Sequence, residues 1–170
     1  MNAGAYESNI SDFLMRLRVI ELPSLVLTWL DQGAIDFEYR QSSGRLVFLW
    51  AEFLLQPSSP EECRRIIADT LAKRGKSQPI DKLSAGCIFK NPPKKHAGAL
   101  IESLGLKGLA SGGAEVSDIH ANFIVNTGGA TADNVYELIQ IIKKAAKLHA
   151  GVDLELEVVL KGEFGGKMYL

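Results

Sequence analysis

The sequence predicts an α+β protein in two parts, and three observations predict it. Short runs rich in β-branched and aromatic residues fill much of positions 16–57. A well-signalled helix follows at 59–75. Beyond it, a long amphipathic helix at 131–151 precedes an alternating stretch at 152–162, the pattern of a small α/β layer.

Taken in order, RLRVIEL (16–22) and SLVLTWL (24–30) read as strands on either side of Pro23. RLVFLWAEFLLQP (45–57) is an apolar run ended by Pro57, expected as a strand buried on both faces. In the next helix Ser59 is the expected cap, Pro60 suits the first position, and Glu61 and Glu62 favour the positive dipole end. Ile66, Ile67 and Leu71 form its apolar face, Cys63 reads as a small packing residue, and Gly75 is the expected stop. The polar segment GKSQPIDK (75–82) marks the expected domain boundary, dividing the chain into 1–76 and 77–170.

HAGALIESLG (96–105) reads as a short helix closed by Gly105, and NFIVN (122–126) as a strand. In the long helix Val135, Ile139, Ile142 and Ala146 share one stripe. Lys143, Lys144 and Lys147 lie near its C-terminal end, and Gly151 stops it. In VDLELEVVLKG (152–162), Val152, Leu154, Leu156 and Val158 alternate with Asp153, Glu155 and Glu157, so a strand is expected.

Composition excludes several function classes. The chain has 170 residues, 46% hydrophobic and 23% charged, with a formal net charge of −1. That balance offers no bulk attraction to nucleic acid or an anionic membrane. No apolar run reaches the length of a membrane span, and MNAGAYESNISDF lacks the regions of a signal peptide. Cys63 and Cys87 match neither a CxxC pattern nor a Cys/His ligand set, so reduced thiols, a cytoplasmic location and no metal site are expected.

Few residues stand out as chemistry. Cys87, beside Gly86 and followed by Lys90 and Asn91, fits a nucleophile, a proton donor or a plain core residue. No known spacing ties it to His96, His120 or His149. Glu157 reads locally as part of a solvated face, Arg40 as a loop arginine, and His120 as a surface residue before a strand. The turn NTGGATADN precedes a helix, where a phosphate can bind, but it lacks a P-loop lysine.

A series of motifs changes the reading. NAGAY (2–6), YRQS (39–42), SAGCIFKNP (84–92), GGAEVSDIHANFIVNTGGATA (112–132) and LELEVVLKGE (154–163) occur in that order. Together they resemble the UDP-N-acetylenolpyruvoylglucosamine reductase (MurB) family, in its shorter class, over nearly the whole chain. These are flavoenzymes of peptidoglycan precursor synthesis. The resemblance implies that NADPH reduces bound FAD, which passes a hydride to the enolpyruvyl double bond of UDP-N-acetylglucosamine enolpyruvate. A protein group then protonates the neighbouring carbon.

The resemblance also implies roles. Most members carry serine as proton donor at the position of Cys87. A thiol, with an ordinary pKa of about 8.5, is a far stronger acid than an aliphatic hydroxyl and suits the same step. Arg40, in a Tyr39-Arg40 pair, would bind the substrate carboxylate, and Glu157 matches the catalytic glutamate. Tyr39, Asn91, His120 and Lys76 match substrate contacts. Ala3, Gly4, Ala5 and Tyr6, with Gly86, form the flavin-side set, where small residues let backbone approach the cofactor. Members often continue Gly-Gly after that tyrosine, whereas Glu7 and Ser8 follow here.

Full members begin well before NAGAY and include there the loop that grips the FAD diphosphate. Residues 1–76 are therefore expected to be the later part of a flavin-binding domain, and 77–170 the substrate domain. The missing FAD-binding half is expected elsewhere, in the same protein or as a separate partner. A monomer is expected otherwise. The alternative is a module that binds a UDP-sugar or a partner protein without FAD. A binding module needs no proton donor, so Cys87, Arg40 and Glu157 favour the enzyme.

Overall fold

The computed structural model describes residues 2–5 and 8–169; Tyr6 and Glu7 of the expected flavin-side loop lie outside the described residues. The chain divides into two compact units, Met1–Pro60 and Glu61–Leu170. This division gives the helix at 60–77 to the second unit, whereas a boundary at 76/77 gives it to the first.

The first unit is sheet. Two small hairpins, β1 (Gly4–Ala5) with β2 (Ser8–Asn9) and β5 (Phe37–Glu38) with β6 (Gln41–Ser42), flank a three-stranded antiparallel sheet. That sheet holds β3 (Leu14–Glu21) between β4 (Val26–Asp31) and β7 (Leu46–Phe53). Leu14, Leu17 and Val19 of β3 pack with Ile35; Leu17 and Val19 follow the period-two burial of one face, and the register shift between Leu14 and Arg16 lets Leu14 join them. The opposite face carries Arg16, paired with Glu52 at 2.7 Å and lying over the Trp29 ring.

The expectation that 45–57 is buried on both faces is wrong. β7 is an edge strand with one partner, and Val47, Phe48, Leu49 and Trp50 are all exposed, Trp50 by 66%.

In the second unit, α1 (Pro60–Ser77) runs two residues past Gly75. None of its residues is buried; Cys63, expected to pack, is exposed, as are Ile66, Ile67 and Leu71. Then follow β8 (Leu83–Cys87), α2 (Ala97–Ser103), β9 (Ala110–Ser111), β10 (Ala114–Val116), β11 (Phe123–Asn126) and α3 (Ala132–Ala150). A hairpin of β12 (Gly162–Phe164) and β13 (Lys167–Tyr169) ends the described chain. The main sheet, ordered β8-β11-β10-β9, is wholly antiparallel. With the helices it makes the molecule α+β.

α3 forms for reasons visible in its ends. Thr131 accepts the Asn134 amide while Asn134 returns a bond to Thr131, and Gly151 closes the helix at φ 67°. Leu138, Ile139, Ile142 and Ala146 are its buried stripe, and they join Ile101, Val116 and Ile124 in one core. Tyr136 stacks on Phe164, and its hydroxyl meets that of Tyr169, so the last hairpin is tied to this helix.

The segment 152–162 is not a laddered strand. Its burial alternates as expected from Val152 to Leu156, with Leu154 buried between exposed Asp153 and Glu155, and the alternation ends there because Glu157 is half-buried like Leu156 and Val158. Its middle part meets residues 88–90 through one bridge between Phe89 and Leu156, while the Val152 amide donates to the Ala146 carbonyl and Gly162 pairs with Tyr169 in the last hairpin, so among the described residues no ladder propagates along it.

Candidate active site

Cys87 is the last residue of β8, half-buried, opposite Phe123 of β11. Between Ser84 and Cys87 the pairing slips: three steps on β8 face two on β11, from Val125 to Phe123. The extra residue makes a bulge, and Gly86 there sits at φ 80°, a left-handed conformation that glycine adopts without strain. A bulge re-aims the next side chain, so Gly86 sets the direction in which Cys87 leaves the sheet.

The strand does not stop cleanly at Cys87; it becomes a clamped segment. The Ile88 amide donates to the Asn122 carbonyl at 2.9 Å, and the Glu157 amide donates to the Ile88 carbonyl at 2.8 Å. On Phe89, both backbone groups bond the Asn122 side chain, at 3.0 and 2.8 Å. The Lys90 amide donates to the Glu155 carbonyl at 2.9 Å. The second unit thus brings Cys87 and half-buried Glu157 to adjoining positions, although 70 residues separate them (157 − 87).

Asn91 is exposed, and its side-chain oxygen accepts the Ala97 amide at 3.0 Å, capping the first turn of α2. His120 lies half-buried against α2, where a Cβ on Gly98 would fall 2.7 Å from its ring. Its Nδ1 accepts the Asn122 amide at 3.2 Å, and its ring meets Phe123 edge-on. Lys76 is exposed near the end of α1.

Burial is the main cause that holds the His120 imidazole below its ordinary range, with the Lys107 charge adding to it. The folded protein therefore binds fewer protons here than the unfolded chain. Stability from this site is complete above the unfolded value near 6.5 and falls as pH drops through it towards the lower folded value. Protonation also converts Nδ1 to a donor, so the Asn122 amide loses its acceptor. The melting temperature is expected to fall between about pH 7 and pH 5, with a shallower fall in His120→Gln. Equal slopes in the two proteins would sink this assignment.

In the first unit, Tyr39 and Arg40 form the two-residue turn between β5 and β6, with Arg40 at φ 61°. Its guanidinium donates to the Gly4 carbonyl at 3.1 Å and lies over the Tyr39 ring, 4.9 Å from the centroid. The carbonyl contact ties the expected flavin-side loop to the expected carboxylate binder. Gly4 is needed by its own hairpin: a Cβ there would meet Asn9 Oδ1 at 2.2 Å. Beside this loop an open apolar cavity of about 270 Å³ is lined by Ala3, Ile10, Phe37, Phe48 and Phe53 among others. Small residues and an apolar wall suit the edge of a flat aromatic cofactor.

In the turn NTGGATADN several of the amides that could meet a phosphate bond side chains of the turn itself. Asn126 Oδ1 accepts the Gly128 and Ala130 amides at 2.9 and 3.2 Å, while Asn134 and Thr131 satisfy one another's amides. Those donors at the start of α3 are already used.

Asn122 was not legible from sequence. It reads as a polar residue ahead of a strand, and only the fold reveals it as buried, 3% exposed. Among the described residues no helix is long and apolar enough to cross a membrane.

The bulged strand, the clamped segment and the helices packed on the sheet belong to an α+β domain. Residues 78–161 match the family model of the UDP-N-acetylenolpyruvoylglucosamine reductase C-terminal domain. The chain is 44% identical over 162 residues to the UDP-N-acetylenolpyruvoylglucosamine reductase of Parasynechococcus marenigrum, covering 93% of this chain and 54% of that protein. It is 39% identical over 166 residues to UDP-N-acetylenolpyruvoylglucosamine reductase 1 of Bacillus anthracis, covering 95% and 55%. The crystal structure of the Thermus caldophilus reductase (MurB) superposes with a TM-score of 0.81 at 35% identity, over 96% of this chain and 57% of that one. The chain belongs to the UDP-N-acetylenolpyruvoylglucosamine reductase family and corresponds to the C-terminal part of its members. It spans about half the length of the curated relatives it matches.

Proposed function

We propose that this chain supplies the substrate-side chemistry of a cytoplasmic oxidoreductase that converts UDP-N-acetylglucosamine enolpyruvate to UDP-N-acetylmuramate for peptidoglycan synthesis. The observation that carries this is the backbone clamp, which sets Cys87 and Glu157 at adjoining positions in the second unit. FAD, when bound, relays hydride from NADPH to the enolpyruvyl double bond. The Cys87 thiol gives its proton to the adjacent carbon: the S–H bond breaks, a C–H bond forms, and solvent reprotonates the sulfur. Glu157 faces the same carbon from the other side as charge develops there. Arg40 binds the substrate carboxylate with a planar two-donor fork, and Tyr39 flanks it.

Asn91, His120 and Lys76 contact the sugar nucleotide. The residues that would hold the flavin ring are Ala3, Gly4, Ala5 and Tyr6, with Gly86. Exposed apolar residues of the first unit, Trp50, Leu54 and Leu55, support a further segment covering them.

The test is a flavin-region absorbance spectrum of the purified protein before and after FAD, followed by NADPH and then the enolpyruvyl sugar. A band bleached by NADPH and restored anaerobically by the sugar carries the reading. A band that NADPH bleaches and the sugar fails to restore counts against it.

A further inference from the structure

The Asn122 side chain does more than fill the core. Its amide spends both of its functional ends on one residue, accepting from the Phe89 N–H and donating to the Phe89 carbonyl, as a neighbouring strand would. Its own carbonyl takes the Ile88 amide. Phe89 and Ile88 are each 1% exposed, so a backbone group that lost its partner here would be stranded without water. The other side of the same segment is held by Glu157, through the Ile88 carbonyl, and by Glu155, through the Lys90 amide. β11 begins only at Phe123, and its ladder with β8 reaches only the Cys87–Phe123 pair at this end. Asn122 therefore continues the sheet with its side chain where the backbone ladder ends.

We propose that Asn122 is a positioning residue for Cys87 and Glu157, acting through the backbone of residues 88 and 89. The proposal rests on the reading that these two residues share one site. The amide holds fixed the short segment that follows the thiol and also receives the Glu157 backbone. Without it, Cys87 and Glu157 remain in the chain and lose their fixed relation.

The test uses the whole chain with Cys63→Ser, so that Cys87 is the single thiol, and follows its alkylation by iodoacetamide at one fixed pH. Removing a neighbouring carboxylate favours the thiolate, so Glu157→Gln is expected to speed alkylation by about fivefold. In an Asn122→Ser background the same substitution is expected to change the rate by less than about twofold. Leu138→Ala is the control, because it weakens the same core from α3 without removing a partner of any clamp hydrogen bond, and it should leave the fivefold effect in place. Asn122→Asp is the second variant: a neutral carboxyl both donates and accepts, so it preserves the fold wherever it is protonated.

Equal Glu157 effects in the Asn122 and Leu138 backgrounds would overturn the positioning role while leaving the shared site intact. No Glu157 effect in any background would overturn the shared site, and the proposal with it.

Discussion

Cys87→Ala in the FAD-loaded protein is expected to cut transfer to the enolpyruvyl sugar by about 10²–10⁴-fold while NADPH oxidation continues, the size of a lost general acid. The reasoning is local. Cys87 follows a glycine bulge, is half-buried and precedes a segment held on both sides, so an alanine there keeps the backbone and removes only the proton. Cys87→Ser restores a donor of similar size and should recover most of the activity. Stopped-flow measurement of the two half-reactions separates the outcomes. Equal loss of both would make the cysteine a structural residue, and a folded but inactive serine variant would remove its role as proton donor.

The second large effect concerns folding. Gly112 and Gly113 turn the chain between β9 and β10, and this turn lies directly on the loop 127–130. A Cβ on Gly113 would fall 2.1 Å from the Gly128 carbonyl oxygen and 2.5 Å from the Ala130 nitrogen, both backbone atoms. The Gly113 carbonyl meanwhile accepts the Thr127 amide at 2.8 Å and the Thr127 hydroxyl at 3.0 Å, so neither strand of this contact can withdraw freely. Gly113→Ala is expected to cost about 3 kcal/mol, the upper range for overpacking. For a chain of this size that lowers the melting temperature by about 6–12 °C. Gly129→Ala makes the contrast: nothing lies within 4 Å of its Cβ, and only its φ of 69° opposes the change. That costs about 1–2 kcal/mol. Calorimetric melts of the two variants decide it, and similar losses would show that backbone conformation, not the close approach, governs the site.

The same glycines illustrate what the sequence can disclose. Their clustering was visible, and a phosphate at the helix start was one explanation. The structure shows another: two backbone turns packed together, with Asn126 taking the Gly128 and Ala130 amides. Elements fixed by local chemistry were readable: the span of α3 and its Gly151 stop, the paired strands around Pro23, and the closure of α2 near Gly105. Elements fixed by distant partners were not. The alternation is genuine in burial from Val152 to Leu156, yet a strand needs a ladder, and the backbone offered to the middle of this segment is three residues long. Apolar residues of β7 and α1 read as core because hydrophobicity carries no record of whether a partner surface lies in the same chain. The last hairpin has its turn signal in Gly165-Gly166. The catalytic candidates were legible through motif resemblance. Asn122, whose importance lies in which backbone it reaches, was not.

The measurement that bears most directly on the substrate-side role is protection of Cys87 from iodoacetamide by UDP-N-acetylglucosamine enolpyruvate, read peptide by peptide in the unmodified chain. Cys63 is exposed on α1 and serves as the internal reference. Saturable slowing of Cys87 alkylation is expected as the sugar nucleotide is added, with Cys63 reacting at an unchanged rate. Alkylation of both cysteines at rates indifferent to the sugar would contradict it.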